Sequence, residues 1–410
     1  MYYFLGVDVG TSSVRVGLFN QFGTLVDSKT QSINIFNFKI DFYEQSSEEI
    51  FSAICNCIKQ IKEANCDNGS RISVDSIVSI GVDATCSLVV LDEQYKPISV
   101  STSGNNSINV IMWMDHRAKR QAGFINSTNH ECLKNVGNRI SLEMDPPKLL
   151  WLKQNLNEEC YKKASYYFSL PDYIVFRLTN QNIRSVCCLT CKWLFVSSEN
   201  KNEWDTSFWN QIGLNDLVVD KNSNKIGSRV EKPFKNIDEL KISSETQFLT
   251  GLSPNIKVGV SMIDAHAGGI GGLALTLSYL QNNKNISINS DSIQMDDILI
   301  IVSGTSSCLM ASSKKPHFID GIWGPYYSAM VPNMYLNEAG QSASGKLIDH
   351  IIHTHPAYNI LKEKLSNEKN KSIYEFLNDI LLKLAQDQNL NSLSFLSKKI
   401  HIYPDFHGNR

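Results

Sequence analysis

The sequence lacks both a charge excess and a long apolar run, and these absences narrow the possible classes of function. It has 39 lysine and arginine residues against 41 aspartate and glutamate residues, a formal net charge of -2. A chain without a basic excess presents no electrostatic surface for nucleic acid. No apolar stretch reaches the ~20 residues of a membrane-spanning helix, and Asp8 interrupts the early apolar run where a signal peptide would continue. We therefore expect a cytoplasmic protein whose partners include neither nucleic acid nor a membrane.

Metal-binding patterns are also scarce. The 10 cysteines do not include the two CxxC motifs that are typical of structural zinc sites. Cys187, Cys188 and Cys191 lie close together, but such a local cluster in a chain with reduced thiols predicts packing in the interior.

The opening of the chain alternates short strands with turns. Strands are predicted over Tyr2–Val9, Val14–Asn20 and Thr24–Thr30, each apolar or alternating and separated by glycine-containing turns. A helix follows, with Ser46 and Glu49 spaced as in a capping box.

Further along, strands and helices continue to alternate. Val74–Asp92 predicts a strand, a turn and a second strand. Pro146–Leu156 opens with two prolines, which suit a first helical turn. Tyr166–Asn180 predicts a strand that gives way to a helix at Pro171. This order indicates an α/β layer fold.

A polar segment interrupts this pattern at 278–297. It is rich in asparagine and serine and has little periodicity, so it predicts an exposed insertion or linker. After it, Ile298–Ser312 predicts strand, turn and strand again, as at the opening. Two such units, each carrying Gly-Thr-Ser, suggest two related domains that face one ligand.

The two turns carry the phosphate-binding chemistry. "DVGTSS" (Asp8–Ser13) and "SGTSSC" (Ser303–Cys308) combine glycine with hydroxyl side chains at a strand end. Glycine lets the backbone approach a phosphate, and successive N–H groups form an anion nest. Asp8 is placed where a carboxylate can hold Mg²⁺ against phosphate oxygens. The alternatives are plain hairpin turns and a turn-capping aspartate.

Three other patterns resemble known sites less well. "GQSASGKL" (Gly340–Leu347) is close to a P-loop but ends in leucine where Ser or Thr would bind the metal, which favours a helix opened by glycine. "GIGGLA" (Gly269–Ala274) fits the looser dinucleotide fingerprint, but Asp291 then falls in the polar segment. A histidine cluster has no cysteine or carboxylate triad beside it and predicts a solvated helix face; it consists of His350, His353 and His355.

The ordered set of motifs is similar to the FGGY carbohydrate kinases. The motifs are "FLGVDVGTSSVRVGLF", "WMDHR", "IDAHAGG", "SGTSSCLMA" and "EAGQSASG", spread over nearly the whole chain. "TCSLV" (Thr85–Val89) and "CKW" (Cys191–Trp193) resemble the ribulokinase branch, and "TCSLV" in particular resembles D-ribulokinases. The resemblance implies two actin/Hsp70-like (ribonuclease H-like) α/β domains with ATP, Mg²⁺ and a sugar in the cleft between them.

The stretch "GVSMIDAHAGGIGG" (Gly259–Gly272) places one acid between an apolar and a glycine-rich segment. By resemblance, Asp264 is the catalytic base, which accepts the proton of the sugar's terminal hydroxyl as its oxygen attacks the γ-phosphorus of ATP. The following glycines let a helix N-terminus approach the phosphates. For His266 we expect packing at the start of this helix.

The remaining roles are also implied by the resemblance. Sugar contacts are expected, besides Asp264, from Ala84, Asp115, Arg117, Lys192 and Glu338. Trp113 is expected to pack rather than to stack on sugar. The alternative for Asp115 with Arg117 is an ion pair within a helix, which contributes little on a surface. ATP contacts are expected from Gly10, Thr11, Ser12, Gly304, Thr305, Gln341 and Gly345, and the metal contact from Asp8.

The resemblance also implies a domain division. We expect a sugar-binding domain over 1–277, a linker over 278–297 and a nucleotide-binding domain over 298–410. In full-length relatives "YPDFHGNR" (Tyr403–Arg410) is internal, so the second domain is expected to be incomplete and to lack part of the adenosine pocket. The expected reaction is phosphorylation of D-ribulose by a pentulose kinase, with a homodimer possible. A catalytically impaired sugar- or nucleotide-binding remnant and a dinucleotide-dependent oxidoreductase are the alternatives.

Overall fold

The computed structural model describes residues 1–67, 72–219, 225–282, 293–366 and 371–402. The chain divides into two compact units. The first unit comprises Met1–Ile301 and Leu309–Ala339, and the second comprises Val302–Cys308 and Gly340–Arg410. Within the described part of the chain, no helix is both long enough and apolar enough to cross a membrane.

The central sheet of the first unit begins with the predicted strands. β1 (Tyr3–Val9) pairs antiparallel with β2 (Ser13–Asn20), which pairs antiparallel with β3 (Leu25–Ser32). β1 also pairs in parallel with β6 (Ile77–Ala84). On its other side β6 pairs with the short strands β14 (Lys257–Val258) and β15 (Met262–Ile263), so the sheet order is β14-β6-β1-β2-β3 with β15 also on β6. This mixture of a meander and parallel strands confirms the predicted α/β class.

Alternating side chains of β1 divide its two faces. Leu5, Val7 and Val9 are buried in the hydrophobic core, whereas Gly6 and Asp8 lie on the opposite face and are only partly covered. A buried valine or leucine contributes about 1.5–3 kcal/mol relative to an exposed one, so the apolar residues determine which face of the strand packs against the core. Because side chains alternate along a strand, Asp8 is thereby directed to the opposite face.

The helix α1 (Ser47–Asn65) covers this core as the sequence predicts. Its N-cap is Ser46, whose hydroxyl accepts a hydrogen bond from the backbone N–H of Glu49 at 3.3 Å. The carboxylate of Glu49 accepts instead from Asn34, so only half of the predicted capping box forms. The buried face includes Ile54 and Ile58.

The other strands have the following bounds. A five-stranded sheet has the order β4-β5-β8-β7-β9, a four-stranded sheet has the order β16-β17-β19-β18, and two small sheets pair β10 with β13 and β11 with β12. The strands are β4 Phe36–Lys39, β5 Phe42–Gln45, β7 Leu88–Leu91, β8 Val110–Ile111, β9 Tyr166–Ser169, β10 Arg184–Ser185, β11 Phe195–Ser197, β12 Asn202–Trp204, β13 Val230–Glu231, β14 Lys257–Val258, β15 Met262–Ile263, β16 Leu299–Ser303, β17 Ser307–Ser313, β18 Trp323–Tyr327 and β19 Tyr335–Gln341.

The helices surround these sheets and connect them. They are α2 Lys119–Ser127, α3 Asp145–Asn155, α4 Leu170–Thr179, α5 Val186–Trp193, α6 Thr206–Gln211, α7 Ser244–Thr250, α8 Asp264–Asn282, α9 Gly345–Thr354, α10 Tyr358–Ser366 and α11 Ile373–Asp387.

The polar segment differs from its prediction at its first positions. α8 continues to Asn282, so the helix extends five residues past the predicted start of the segment at Ser278. Residues 283–292 lie outside the described residues, as does the motif Tyr403–Arg410. The sequence signal was weak here because polar residues are compatible with an exposed last helical turn.

Candidate active site

Three aspartates meet where parallel strands of the first unit end. In the pairing of β1 with β6, Asp8 stands opposite Asp83. In the pairing of β15 with β6, Ile263 stands opposite Ala84, and Asp264 follows as the first residue of α8. Backbone register alone therefore brings the three carboxyl groups to one edge of the sheet.

The electrostatics of this group follow from their closeness. The pKa of Asp83 is raised well above its usual value, chiefly because burial removes water and further because of the charges of Asp8 and Asp264 and a hydrogen bond with Asp8. Arg15 balances the pair, since its Nη2 lies 2.8 Å from Oδ2 of Asp8.

The helix start beside the group is suited to negative charge. Oδ1 of Asp264 accepts a hydrogen bond from the N–H of Ala265 at 2.8 Å, which orients the carboxylate at the positive end of the α8 dipole. Farther along the sheet, Gly6 and Gly81 line, with Asp83, a cavity of about 480 Å³.

The first predicted phosphate turn joins β1 to β2. It is a tight hairpin in which the N–H of Gly10 donates to the carbonyl of Ser13 at 3.0 Å. The hydroxyl of Thr11 accepts from Nε1 of Trp113 at 3.3 Å, and its carbonyl accepts from Gln45 at 3.0 Å. The side chain of Ser12 is exposed. Trp113 therefore packs against the turn, as expected, and connects it to "WMDHR".

Asp115 and Arg117 form a fully buried ion pair. Nε and Nη2 of Arg117 bind the two carboxylate oxygens of Asp115 at 2.9 and 2.7 Å, and Nη2 also lies 2.7 Å from Glu44. The guanidinium packs over the rings of Phe42 and Trp151. The pair lies in a turn before α2 rather than within a helix, and both side chains are 0% exposed. Their contact with a sugar stays a prediction.

Lys192 and Glu338 lie together in the interior beyond the strand ends. Lys192 is at the end of α5, with its ammonium 3.9 Å from Glu143 and 4.4 Å from the ring centre of Trp323. Burial opposes its charge, but the surrounding acidic groups, including Glu338 and Glu143, raise the pKa of Lys192 overall. Ala84, the last residue of β6, is also buried.

His266 connects Glu338 to α5. Its Nε2 lies 3.1 Å from Oε2 of Glu338, and its Nδ1 lies 3.0 Å from the sulfur of Cys187. Cys191 donates to the same Oε2 at 3.6 Å. Burial raises the pKa of Cys187, but the hydrogen bond from Cys188 and the charge of His266 lower it to about 5. His266 is packed at the start of α8, as expected, but it also carries polar contacts at both ring nitrogens.

The second predicted phosphate turn belongs to the second unit. The N–H of Gly304 donates to Ser306 at 2.7 Å, and the start of α9 lies directly against the turn. The N–H of Gly345 donates to the carbonyl of Gly304 at 3.1 Å, and that of Ser344 donates to Thr305 at 2.9 Å. A Cβ on Gly345 would lie 2.4 Å from the oxygen of Gly304, so only glycine fits.

The weaker patterns fall in ordinary helices. Gly345 opens α9, as expected for the segment that resembles a P-loop, and Gln341 ends β19. Gly269–Ala274 lies inside α8 rather than at a strand-to-helix turn, and Asp291 is outside the described residues. The three histidines of the predicted cluster are all exposed, namely His350, His353 and His355.

Asp83 is the main residue of the group that the sequence argument missed. A signal was present, because Gly81-Val82-Asp83 repeats Gly6-Val7-Asp8 and the two triplets pair in register. The contacts of Glu44, Glu143 and Cys187 had no local signal.

The comparisons with known proteins match both parts of the chain. Residues 3–271 match the N-terminal domain of the FGGY family of carbohydrate kinases, and residues 299–410 match the C-terminal domain of that family. The predicted domain bounds of 1–277, 278–297 and 298–410 stay a prediction.

Individual relatives agree with the family match. An FGGY carbohydrate kinase domain-containing protein of Xenopus laevis is 45% identical over 411 residues, covering 100% of this chain and 70% of the relative. A D-ribulokinase of Saccharomyces cerevisiae is 36% identical over 427 residues, covering 100% of this chain and 58% of the relative. The solved structure of a ligand-bound xylulose kinase from Lactobacillus acidophilus has the same fold, with a TM-score of 0.67 at 18% identity, covering 93% of this chain and 66% of that one.

Proposed function

Because the chain belongs to the FGGY family of carbohydrate kinases, we propose that it phosphorylates a pentulose, D-ribulose, to D-ribulose 5-phosphate with ATP. The observation that carries the reaction type is the position of Asp264, which begins α8 beside the carboxyl groups of Asp8 and Asp83. The choice of D-ribulose is supported by the similarity to the yeast D-ribulokinase and by the "TCSLV" segment. We place the reaction in the cytoplasm.

Asp264 is the proposed general base. Its carboxylate accepts the proton of the terminal hydroxyl of the sugar while that oxygen forms a bond to the γ-phosphorus. The bond between the γ-phosphorus and the bridging oxygen breaks, and ADP leaves with the electron pair. The hydrogen bond from Ala265 holds the carboxylate in one orientation, so little reorganisation is needed.

The residues at the strand ends fit a magnesium ion. Two carboxyl groups side by side, next to the start of α8 at Asp264, form an oxygen donor set of the kind that hard cations prefer. Asp8 and Asp83 would hold the ion, and Mg²⁺ bound there would neutralise charge on the phosphates of ATP. Arg15 already places a positive charge against the carboxylate of Asp8.

The remaining assignments divide between sugar and nucleotide. Lys192 offers a donor and Glu338 an acceptor, the combination that polyol recognition needs, and sugar contact is also proposed for Ala84. Sugar contact is also proposed for Asp115 and Arg117. ATP contacts are proposed for Gly10, Thr11, Ser12, Gly304, Thr305, Gln341 and Gly345.

The experiment is a substrate comparison with the purified chain. ADP release is followed with ATP and Mg²⁺ on D-ribulose, L-ribulose, D-xylulose and glycerol, and the product is identified by mass spectrometry. We expect the highest kcat/KM with D-ribulose and a product heavier by one phosphoryl group. A preference for glycerol or for an aldose would overturn the pentulose assignment. Binding of D-ribulose without any turnover would instead favour the catalytically impaired remnant.

A further inference from the structure

A thiol, an imidazole and a carboxylate come together in the interior of the first unit, outside the aspartate group. Cys191 lies on α5, His266 on α8 and Glu338 on β19. One ligand atom from each lies within 4.8 Å of the other two, and all three side chains are buried. Sulfur, nitrogen and oxygen donors in one triangle are the ligand types of zinc sites.

The distances fit a tetrahedral ion. Zinc bonds of ~2.0–2.3 Å at tetrahedral angles place neighbouring ligand atoms ~3.3–3.6 Å apart. Nε2 of His266 is 3.1 Å from Oε2 of Glu338, and the sulfur of Cys191 is 3.6 Å from the same oxygen. These two separations are therefore within a few tenths of an ångström of those in a zinc site, and the third, between His266 and Cys191, is at most 4.8 Å.

The imidazole is already oriented for this role. Metal-binding histidines generally use the second ring nitrogen for a hydrogen bond that fixes the ring. In this chain Nδ1 of His266 lies 3.0 Å from the sulfur of Cys187, which in turn accepts from the N–H of Ile263 at 3.4 Å. Nε2 consequently faces Glu338.

We propose that Cys191, His266 and Glu338 form a binding site for a thiophilic divalent cation such as Zn²⁺, and that the bound cation competes with the sugar. Binding releases the thiol proton of Cys191 and the proton between His266 and Glu338. Competition follows because Glu338 cannot ligate the cation and accept from a sugar hydroxyl with the same oxygen. This second part rests on the proposed function, whereas the metal site itself does not.

The ammonium of Lys192 is expected to weaken zinc binding by repulsion but not to prevent it. Lys192 follows Cys191 directly, and its ammonium lies 3.9 Å from its own counter-ion, Glu143. A thiolate and an imidazole favour Zn²⁺ over Mg²⁺, so millimolar Mg²⁺ is not expected to fill this site.

The first experiment measures metal binding without any sugar. The chain is equilibrated with ZnCl₂ in the presence of excess Mg²⁺, and bound zinc is counted after gel filtration. We expect one Zn²⁺ per chain, at least 100-fold weaker binding in Cys191→Ala and in Cys191→Ser, and ~10–100-fold weaker binding in Cys187→Ala. Cys66→Ala, at the partly exposed end of α1, is the matched control and should bind as the wild type does.

A spectroscopic measurement on the wild-type chain does not depend on whether any variant folds. Co²⁺ added to the wild-type chain should give a thiolate-to-metal charge-transfer band in the near ultraviolet, which stoichiometric Zn²⁺ removes. No such band, or equal zinc binding by folded Cys191→Ala and wild type, would overturn the metal site. Thermal unfolding and circular dichroism establish that each variant is folded.

The second experiment tests competition. With free zinc buffered near its dissociation constant, the KM for D-ribulose should double while kcat is unchanged, and a chelator should restore the original KM. The effect should be absent in Cys191→Ser. Zinc that binds but leaves KM unchanged would overturn the competition alone. If D-ribulose is not a substrate, the zinc count and the Co²⁺ spectrum still decide the metal site.

Discussion

Asp8 and Asp83 stand opposite one another at the carboxyl ends of two neighbouring parallel strands, and each is preceded by Gly-Val. Directly opposed residues in a sheet share a face, so the two carboxyl groups are forced together. One proton between them relieves the repulsion, and a cation bound between them would do the same. The pairing of β1 with β6 therefore creates a place for positive charge before any ligand arrives.

Asp264→Asn should nearly abolish phosphoryl transfer and leave sugar binding measurable. The amide keeps the size of the side chain but cannot accept the proton, and general-base catalysis is typically worth ~10²–10⁴-fold. The measurement is kcat for ADP release together with calorimetric binding of D-ribulose. Asp238→Asn, an exposed acid on the surface of the first unit, is the control and should keep full activity. A variant that retained more than about a tenth of wild-type kcat would show that Asp264 is not the base.

Asp8→Ala should raise the Mg²⁺ and ATP requirements together. Loss of a ligand should weaken metal binding by at least the ~10–100-fold typical for loss of a group that only orients a ligand. The measurement is initial rate as a function of Mg²⁺ at fixed ATP. Asp83→Asn should move the same curve in the same direction, and Asp27→Asn on β3 should not. Unchanged Mg²⁺ titrations in both the Asp8 and the Asp83 variants would show that these acids are structural and do not bind the metal.

Gly345→Ala should weaken ATP binding with little change in the KM for sugar. The new methyl group would lie 2.4 Å from the carbonyl oxygen of Gly304 and would displace the second turn. Overpacking of this kind costs ~1–3 kcal/mol, so a rise of ~10-fold in the KM for ATP is expected. Gly123→Ala on α2 is the matched control, since its Cβ meets no atom within 4 Å. An equal effect of the two substitutions would contradict the assignment of this turn to ATP.

Arg117→Met should destabilise the fold strongly, whatever the role of this residue toward a sugar. It leaves Asp115 and Glu44 buried without their cation, and breaking a buried pair typically costs ~3–5 kcal/mol. Lys59→Met removes an exposed partner of Glu63 and should cost less than ~1 kcal/mol. Urea unfolding of both variants measures the difference. A cost for Arg117→Met as small as that of the control would contradict the picture of a fully desolvated network.

The ionisation of Asp145 should make the free energy of unfolding decrease as pH rises. Burial raises the pKa of Asp145 to about 7, and Lys148 at 3.9 Å offsets this only in part. The folded chain thus keeps a proton that the unfolded chain loses above the ordinary aspartate pKa of 3.8, and folding becomes less favourable between these two pKa values. At its steepest the loss is about 1.4 kcal/mol per pH unit.

The matched measurement for Asp145 is urea unfolding of wild type and Asp145→Asn at several pH values from 4.5 to 8. The variant lacks this titration, so the difference in unfolding free energy between the two proteins should grow in favour of the variant up to about pH 7 and then stay level. A difference that does not change with pH would show that Asp145 ionises normally in the folded chain.

Local signals predicted the elements that place the site. β1, β2 and α1 were predictable because alternation, glycine turns and an N-cap serine act over a few residues. Asp264 was found through its resemblance to a motif. The pairing of Asp83 with Asp8 was recoverable only by comparing two triplets 75 positions apart and assuming parallel register.

Contacts between distant elements could not be read from the sequence. The sequence predicted packing for Cys187 and Cys191, because no neighbouring residue indicates the contact of Cys187 with His266 or that of Cys191 with Glu338. Asp115 and Arg117 resembled an ion pair along a helix, and only the tertiary structure shows that Glu44 completes a buried network. Such contacts depend on how sheets and helices pack, which local propensity does not determine.

The contacts of Cys191 and His266 with Glu338 also have a consequence during synthesis of the protein. Cys191 and Glu338 are separated by 147 positions. At a synthesis rate of ~5–20 residues per second, Glu338 is added to the chain roughly 7–30 s after Cys191 and Lys192. During that interval the thiol of Cys191 and the ammonium of Lys192 cannot interact with Glu338, and the thiol is open to oxidants. This buried polar cluster of the first unit is therefore completed late in synthesis of the chain.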